Sequence, residues 1–160
     1  MLYYIDAYNL LFKMNPPQKN LEAQRAWLIK LLASLASQIK AELIAVFDGA
    51  DGDVYERTHV GELELVYTSE KQCADSFIVQ EISRRENNKL IMVITSDKGL
   101  ARQCNGLGVS VTSTGDFLRQ KQRLLYQNET ILNEKSESPS FLNDYYQKIF
   151  EKRLQNQRKD

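Results

Sequence analysis

Short apolar runs, each closed by an acid or a turn residue, alternate along this chain with longer stretches whose apolar positions recur at three- and four-residue steps. Leu2 to Asp6 is the first strand expected from this pattern. A helix is predicted from Leu21 to Lys40 after the Pro16-Pro17 turn, with Asn20 as its N-cap. Leu21, Leu28, Leu31, Leu32, Leu35 and Ile39 form the apolar stripe that would lay it on a sheet. Glu42 to Asp48 reads as a buried strand punctuated by Gly49, Ala50 to Gly61 as a polar loop, and Leu63 to Tyr67 as a third strand.

The second half repeats the alternation. Ala74 to Glu86 is expected to be helical with Ile78 and Ile82 inward, and Leu90 to Thr95 is the strongest strand, running into Ser96-Asp97. A helix from Lys98 to Cys104, a short strand from Val109 to Thr112 and a helix from Asp116 to Leu125 complete the series. Nearly continuous apolar strands separated by helices predict an α/β fold with a mostly parallel, doubly wound sheet. The domain is expected to occupy residues 1–125, followed by a polar linker or loop at 126–140. An amphipathic helical tail is expected over 141–160, with Leu142, Tyr145, Tyr146, Ile149 and Phe150 on one side, packing back on the domain or docking on a partner.

Composition narrows the class. At 160 residues the chain fits one domain with an appendage. No apolar run approaches the ~20 residues that span a bilayer, so no membrane association is expected. The start MLYYIDAYNLL lacks the basic region of a signal peptide. Cys73 and Cys104 make neither a disulfide framework nor a zinc spacing, which suits a reducing cytoplasm. Lys plus Arg and Asp plus Glu both number 21, so a nucleic-acid partner would have to be met by locally concentrated basic groups.

The acids carry the chemistry. Asp6, Asp48 and Asp97 each close a predicted strand, and Asp75 opens a predicted helix. In a parallel sheet, strand C-termini and the neighbouring helix N-termini share the edge where ligands bind. Convergent carboxylates repel one another unless they take up protons or share a cation, and an oxygen-only donor set suits Mg²⁺ or Mn²⁺. Such a metal supports phosphodiester hydrolysis. Each acid also has a plainer reading: Asp48 as a turn residue before Gly49, Asp75 as a helix cap, Asp116 as the cap of the last helix, and Asp51 and Asp53 as solvated loop residues. Asn9 lies three residues beyond Asp6, within a short turn of the same site. Thr95 and Ser96 set hydroxyls beside Asp97, and Lys98 could meet a phosphate at a helix start.

At these residues the chain resembles the YacP-like branch of the NYN domains, within the PIN-like nuclease group. IDAYNLL at 5–11, VFDGA at 46–50, LELVYTSEKQCADSFI at 63–78 and VITSDKGLAR at 93–102 carry the resemblance, which covers residues 1–123. It implies a PIN-like three-layer α/β/α sandwich and a Mg²⁺- or Mn²⁺-dependent ribonuclease. It also implies Asp6, Asp75 and Asp97 as metal acids, with Asp48 and Asn9 as further members of the site. Some bacterial YacP-like proteins act on messenger RNA at the ribosome, which makes single-stranded mRNA and the ribosome the partners implied. Two positions depart from the pattern: Cys73 stands where threonine is frequent, and Ala7 where glycine is.

The leading expectation is therefore a metal-dependent endoribonuclease, working by in-line attack of an activated water and leaving a 5′-phosphate and a 3′-hydroxyl. Ser96, Lys98, Arg119, Lys121 and Arg123 are the candidate RNA contacts, the last three within RQKQR, whose plainer reading is a solvated helix face. A two-histidine ribonuclease cannot be built from the lone His59, expected on the surface. A DNA-acting relative of the 5′-nucleases would need a longer chain with more acids. A silent RNA- or ribosome-binding module could use the same basic groups, together with Arg84-Arg85 and stacking by Tyr8, Phe12 and Tyr55. An aspartyl phosphatase is disfavoured because Ala7 and Tyr8 follow Asp6.

Overall fold

A computed structural model describes residues 1–16, 18–49 and 56–135. Strand β1 (Leu2–Asp6) passes directly into α1 (Ala7–Met14), followed by α2 (Leu21–Ile39) and β2 (Glu42–Phe47). A hairpin of β3 (Glu56–Val60) and β4 (Leu63–Tyr67) leads to α3 (Ala74–Ser83), β5 (Ile91–Ile94), α4 (Lys98–Gly106), β6 (Ser110–Thr112) and α5 (Thr114–Lys135). The six strands form one sheet in the order β3-β4-β2-β1-β5-β6. All neighbours are parallel except β3, which runs antiparallel to β4.

Period-two alternation divides the strands between two cores. Ile5, Leu43, Ala45, Phe47, Leu63 and Leu65 face α1, α2 and α5, where Leu10, Leu28, Leu32 and Phe117 are buried. Leu2, Tyr4, Ile44, Val46, Val66 and Val93 face α3 and α4, against Phe77, Ile78, Ile82 and Leu100. The result is the three-layer α/β/α sandwich expected from the resemblance. The Asn20 side chain accepts from the Ala23 N–H at 2.8 Å, so the expected cap of α2 is in place.

Four expectations need correction. Residues 56–60 are strand β3 rather than loop; ERTHV is exposed at every position, so the ladder to β4 holds it and no apolar alternation announces it. The stretch after Asp6 is not merely a turn but the helix α1, which buries Ala7, Leu10, Leu11 and Met14. The last helix begins at Thr114 and continues through Lys135, into the segment expected to be linker. Its cap is not Asp116: the Ser113 hydroxyl accepts the Asp116 N–H at 3.1 Å and donates to its carboxylate at 2.9 Å, placing Asp116 in the first turn. The tail 141–160, along with Asp51, Asp53 and Tyr55, lies outside the described residues. No helix among the described residues is long and apolar enough to cross a membrane.

Candidate active site at the carboxyl edge of the sheet

Strand register sets the level of each acid. Asp6 pairs with Val46, and Ile5 with Ile94, so β1, β2 and β5 end together. Asp6 therefore sits level with Thr95, the residue after Ile94, and Asp48 follows the end of β2 on the same edge. Thr95 donates its hydroxyl to Asp6 Oδ2 at 3.2 Å, and the same hydroxyl accepts the Asp97 N–H at 3.1 Å. Asn9, one turn into α1, accepts the Ser96 N–H with its side-chain oxygen at 2.8 Å. The first and fifth strands are thus laced together just where both carry an acid.

Asp97 and Asp48 each also serve a helix end. Asp97 is the N-cap of α4 and accepts the Leu100 N–H at 2.7 Å. The Asp48 carboxylate accepts the N–H of Ala74, the first residue of α3. Gly49, with φ of +79°, turns the chain away behind it, and its N–H is held by the Thr68 hydroxyl at 3.2 Å. Asp75 is not the cap of α3: the Cys73 thiol accepts the Ser76 N–H at 3.4 Å, leaving the half-buried Asp75 carboxylate in the first helical turn.

Two of these carboxylates are raised by burial and by their acidic neighbours. Asp6 is 8% exposed, and burial pushes its pKa up from 3.8 to about 6, with the charges of Asp75 and then Asp48 adding to the rise. Hydrogen bonds from the Thr95 hydroxyl and the Asn9 backbone N–H oppose it. Asp75 is also raised, by burial first and then by Asp97 and Asp48. Among the described residues, no three His, Cys, Asp or Glu side chains stand close enough to enclose a metal ion as placed. The donor set nonetheless has the chemistry that a hard divalent cation satisfies: oxygen ligands only, with mutual repulsion that a cation would relieve.

The other candidate residues fall at different distances from this edge. Ser96 and Lys98 flank Asp97 and are exposed, but the Ser96 hydroxyl is taken up by the Thr114 hydroxyl at 2.6 Å. That contact ties the start of α5 to the acid loop. Arg119 and Arg123 lie roughly 8 and 14 Å along α5 from Thr114 at helical rise. Arg119 pairs with Asp116, and Lys121 lies 5.9 Å over the Tyr3 ring. Arg84 and Arg85 sit at the far end of α3, where Arg85 donates to the Tyr4 hydroxyl at 3.0 Å. His59 is exposed on β3, paired with Glu64 well back from the edge. Both cysteines are free; Cys104 is buried, which pushes its thiol up to about 11.

Sequence reasoning did not single out Thr68, Ser69, Ser113 or Thr114 as parts of this edge. Thr68, Ser69 and Thr114 are buried polar residues, and the run of hydroxyls directly after β4 and β6 was the available signal.

An acid-lined carboxyl edge on a mostly parallel three-layer sheet places the molecule among nuclease-like α/β domains. The chain belongs to the YacP-like NYN domain family, whose model matches residues 3–159 and so extends well past residue 123 into the C-terminal tail. It is similar to two crystal structures of Rae1 (YacP) from Bacillus subtilis. One is 26% identical, covers 97% of this chain and 95% of that one, and superposes with a TM-score of 0.60. The other, a tryptophan-to-leucine variant, is 21% identical over 91% of this chain and 89% of that one, with a TM-score of 0.64. Comparison with curated proteins gave no significant match.

Proposed function

We propose that this chain is a divalent-metal-dependent endoribonuclease that hydrolyses phosphodiester bonds in single-stranded RNA, including messenger RNA presented at the ribosome. The observation that carries this reading is the meeting of Asp6, Asp48, Asp75 and Asp97, from three strand ends and one helix start, at one edge of the sheet. There Asp75 and Asp48 add to the rise of Asp6, and Asp97 and Asp48 to that of Asp75. Membership of the NYN family, whose nuclease-like members generally use divalent metals, supports the same reading.

Asp6, Asp75 and Asp97 would hold the cation, Mg²⁺ or Mn²⁺, with Asp48 as a further oxygen donor beside them. Bound there, the ion supplies Lewis-acid activation of water and neutralises charge on the phosphate. Asn9 keeps the Ser96-Asp97 turn at the height of Asp6. Thr95 holds the Asp6 carboxylate in one rotamer through the hydroxyl that also accepts the Asp97 amide. Lys98 meets the incoming backbone at the start of α4, and Arg119, Lys121 and Arg123 guide the strand along α5. The exposed rim formed by Asp48, Ser96, Asp97 and Lys98 leaves the site open to a polymer.

The test is cleavage of a mixed single-stranded RNA by the purified chain in Mn²⁺ or Mg²⁺, in EDTA, and by Asp75→Asn. Metal-dependent cuts lost in EDTA and in the folded variant are the expected result. Cutting that appears only with translating ribosomes would assign the substrate to ribosome-held messenger. A folded chain that neither binds metal nor cuts under either condition would sink the catalytic reading in favour of a binding module.

A further inference from the structure

The largest exposed aromatic side chain among the described residues is Phe12, 64% exposed on α1, and nothing in the acid site requires it. It is held in place. Its ring stacks on Tyr8 at 5.7 Å between centroids and 20° between planes, and Tyr8 in turn packs edge-on against the buried Phe47 at 5.3 Å. Phe47 stacks on Tyr67 at 5.3 Å and 17°, so a continuous aromatic series runs from the surface of α1 to the end of β4.

A guanidinium joins this series. Arg25 on α2 donates to the Tyr8 hydroxyl at 3.2 Å and forms no ion pair among the described residues. Arg25, Ile29, Gly49 and Tyr67 line an open groove, with Glu22 and Glu56 at its walls. Gly49 directly follows Asp48, and Tyr8 comes two residues after Asp6, so the groove opens beside the acid edge.

Here the geometry points to a nucleotide-binding subsite for the RNA strand, next to the point of cleavage: one unpaired base stacks on the Phe12–Tyr8 step and its phosphate meets Arg25. This rests on the ribonuclease reading and extends it. An exposed ring braced from behind is a sequence-tolerant stacking platform, and a guanidinium without a carboxylate partner is a ready phosphate contact.

The experiment measures binding of a labelled single-stranded oligoadenylate and of an abasic ribose-phosphate oligomer of equal charge, without metal, for wild type, Phe12→Ala, Arg25→Gln and Arg25→Lys. Cleavage in Mn²⁺ is followed in parallel. Base stacking of this kind predicts that Phe12→Ala weakens oligoadenylate roughly tenfold while leaving the abasic oligomer unchanged. Arg25→Gln should weaken both and flatten the salt dependence by about one phosphate contact, with partial recovery in Arg25→Lys. Phe12 is exposed, so loss of fold does not complicate its variant. If wild type cleaves RNA but neither variant changes binding, the subsite is wrong, the ribonuclease reading stands, and Phe12 is left for a protein contact. If wild type neither binds nor cleaves the free oligomers, the subsite is wrong, and cleavage with translating ribosomes then decides the ribonuclease reading separately.

Discussion

Asn9 accepts the backbone N–H of Ser96 at 2.8 Å, and the residue before Ser96 donates its hydroxyl to Asp6 at 3.2 Å. These two bonds join segments 87 and 89 residues apart and set the height of the Ser96-Asp97 turn against the end of β1. Asn9→Ala should therefore cost only about 1 kcal/mol of stability, since Ser96 is exposed and water can replace the lost acceptor. Cleavage should fall by more than tenfold, because a small displacement of a positioned carboxylate is felt strongly in the rate. Asn9→Asp keeps the acceptor and should recover part of the rate at raised metal concentration. Melting curves alongside cleavage rates check this; equal loss of stability and rate would make Asn9 a structural residue only.

Asp48 has two duties that substitution can separate. Its carboxylate accepts the Ala74 N–H at the positive end of α3, the equivalent of an N-cap supplied from another strand. Asp48→Ala should lose about 1–2 kcal/mol of stability together with activity. Asp48→Asn retains an acceptor and should lose activity with much less stability. Chemical denaturation of both variants decides it: equal stability for the two would mean that the capping bond contributes nothing.

The contrast between Asp48 and β3 shows what the chain makes legible. Strand ends bearing Asp6, Asp48 and Asp97 could be placed on one edge because apolar runs separated by helices imply parallel strands. That the edge lines up residue by residue is then a matter of register. The bond from Asp48 to Ala74 could not be read, since it joins two elements whose approach depends on the packing of α3. Strand β3 escaped notice because an exposed edge strand needs no apolar alternation; ERTHV is held by its ladder and by the turn at Gly61-Glu62. Residues 126–135 misled for a related reason, as polar helix surface and polar loop share a composition when no glycine or proline intervenes. Ser113, not Asp116, caps α5, although the spacing Ser-x-x-Asp was there to be found.

Arg57 pins that edge strand. Its guanidinium reaches Glu64 at 2.8 Å and Glu81 at 2.6 Å, and it lies 5.5 Å from the Phe77 ring centre. Arg57→Ala should lower global stability by only about 1 kcal/mol, since the pair of bridges is partly solvated. Amide exchange over residues 56–60 should quicken far more than exchange in β4. Arg57→Lys should not restore protection, because a point-like ammonium lacks the planar fork that spans both carboxylates while lying over the ring. Unchanged exchange in β3 would show that the ladder alone holds it.

The acid edge makes the metal-free fold sensitive to pH in an unusual direction for carboxylates. Asp6 titrates near 6 in the fold against 3.8 when unperturbed, and Asp75 is shifted upward too. Between those values the folded chain holds a proton that the unfolded chain has released, so this contribution to stability falls as pH rises from about 4 to about 6. Above pH 6 the whole penalty is present; for Asp6 alone a shift of this size corresponds to at most roughly 3 kcal/mol. Asp6→Asn should accordingly stabilise the metal-free protein at pH 7.5, with the gain vanishing near pH 4. A divalent cation acts on the same charges, so Mn²⁺ should raise the melting temperature of wild type at pH 7.5 and do little at pH 5, where protons compete for the ligands. Thermal melts of wild type and Asp6→Asn across this range, with EDTA and with Mn²⁺, supply the check. A less stable Asp6→Asn at pH 7.5 in EDTA would show that the Asp6 carboxylate is held by its hydrogen bonds more strongly than it is opposed by burial and its acidic neighbours.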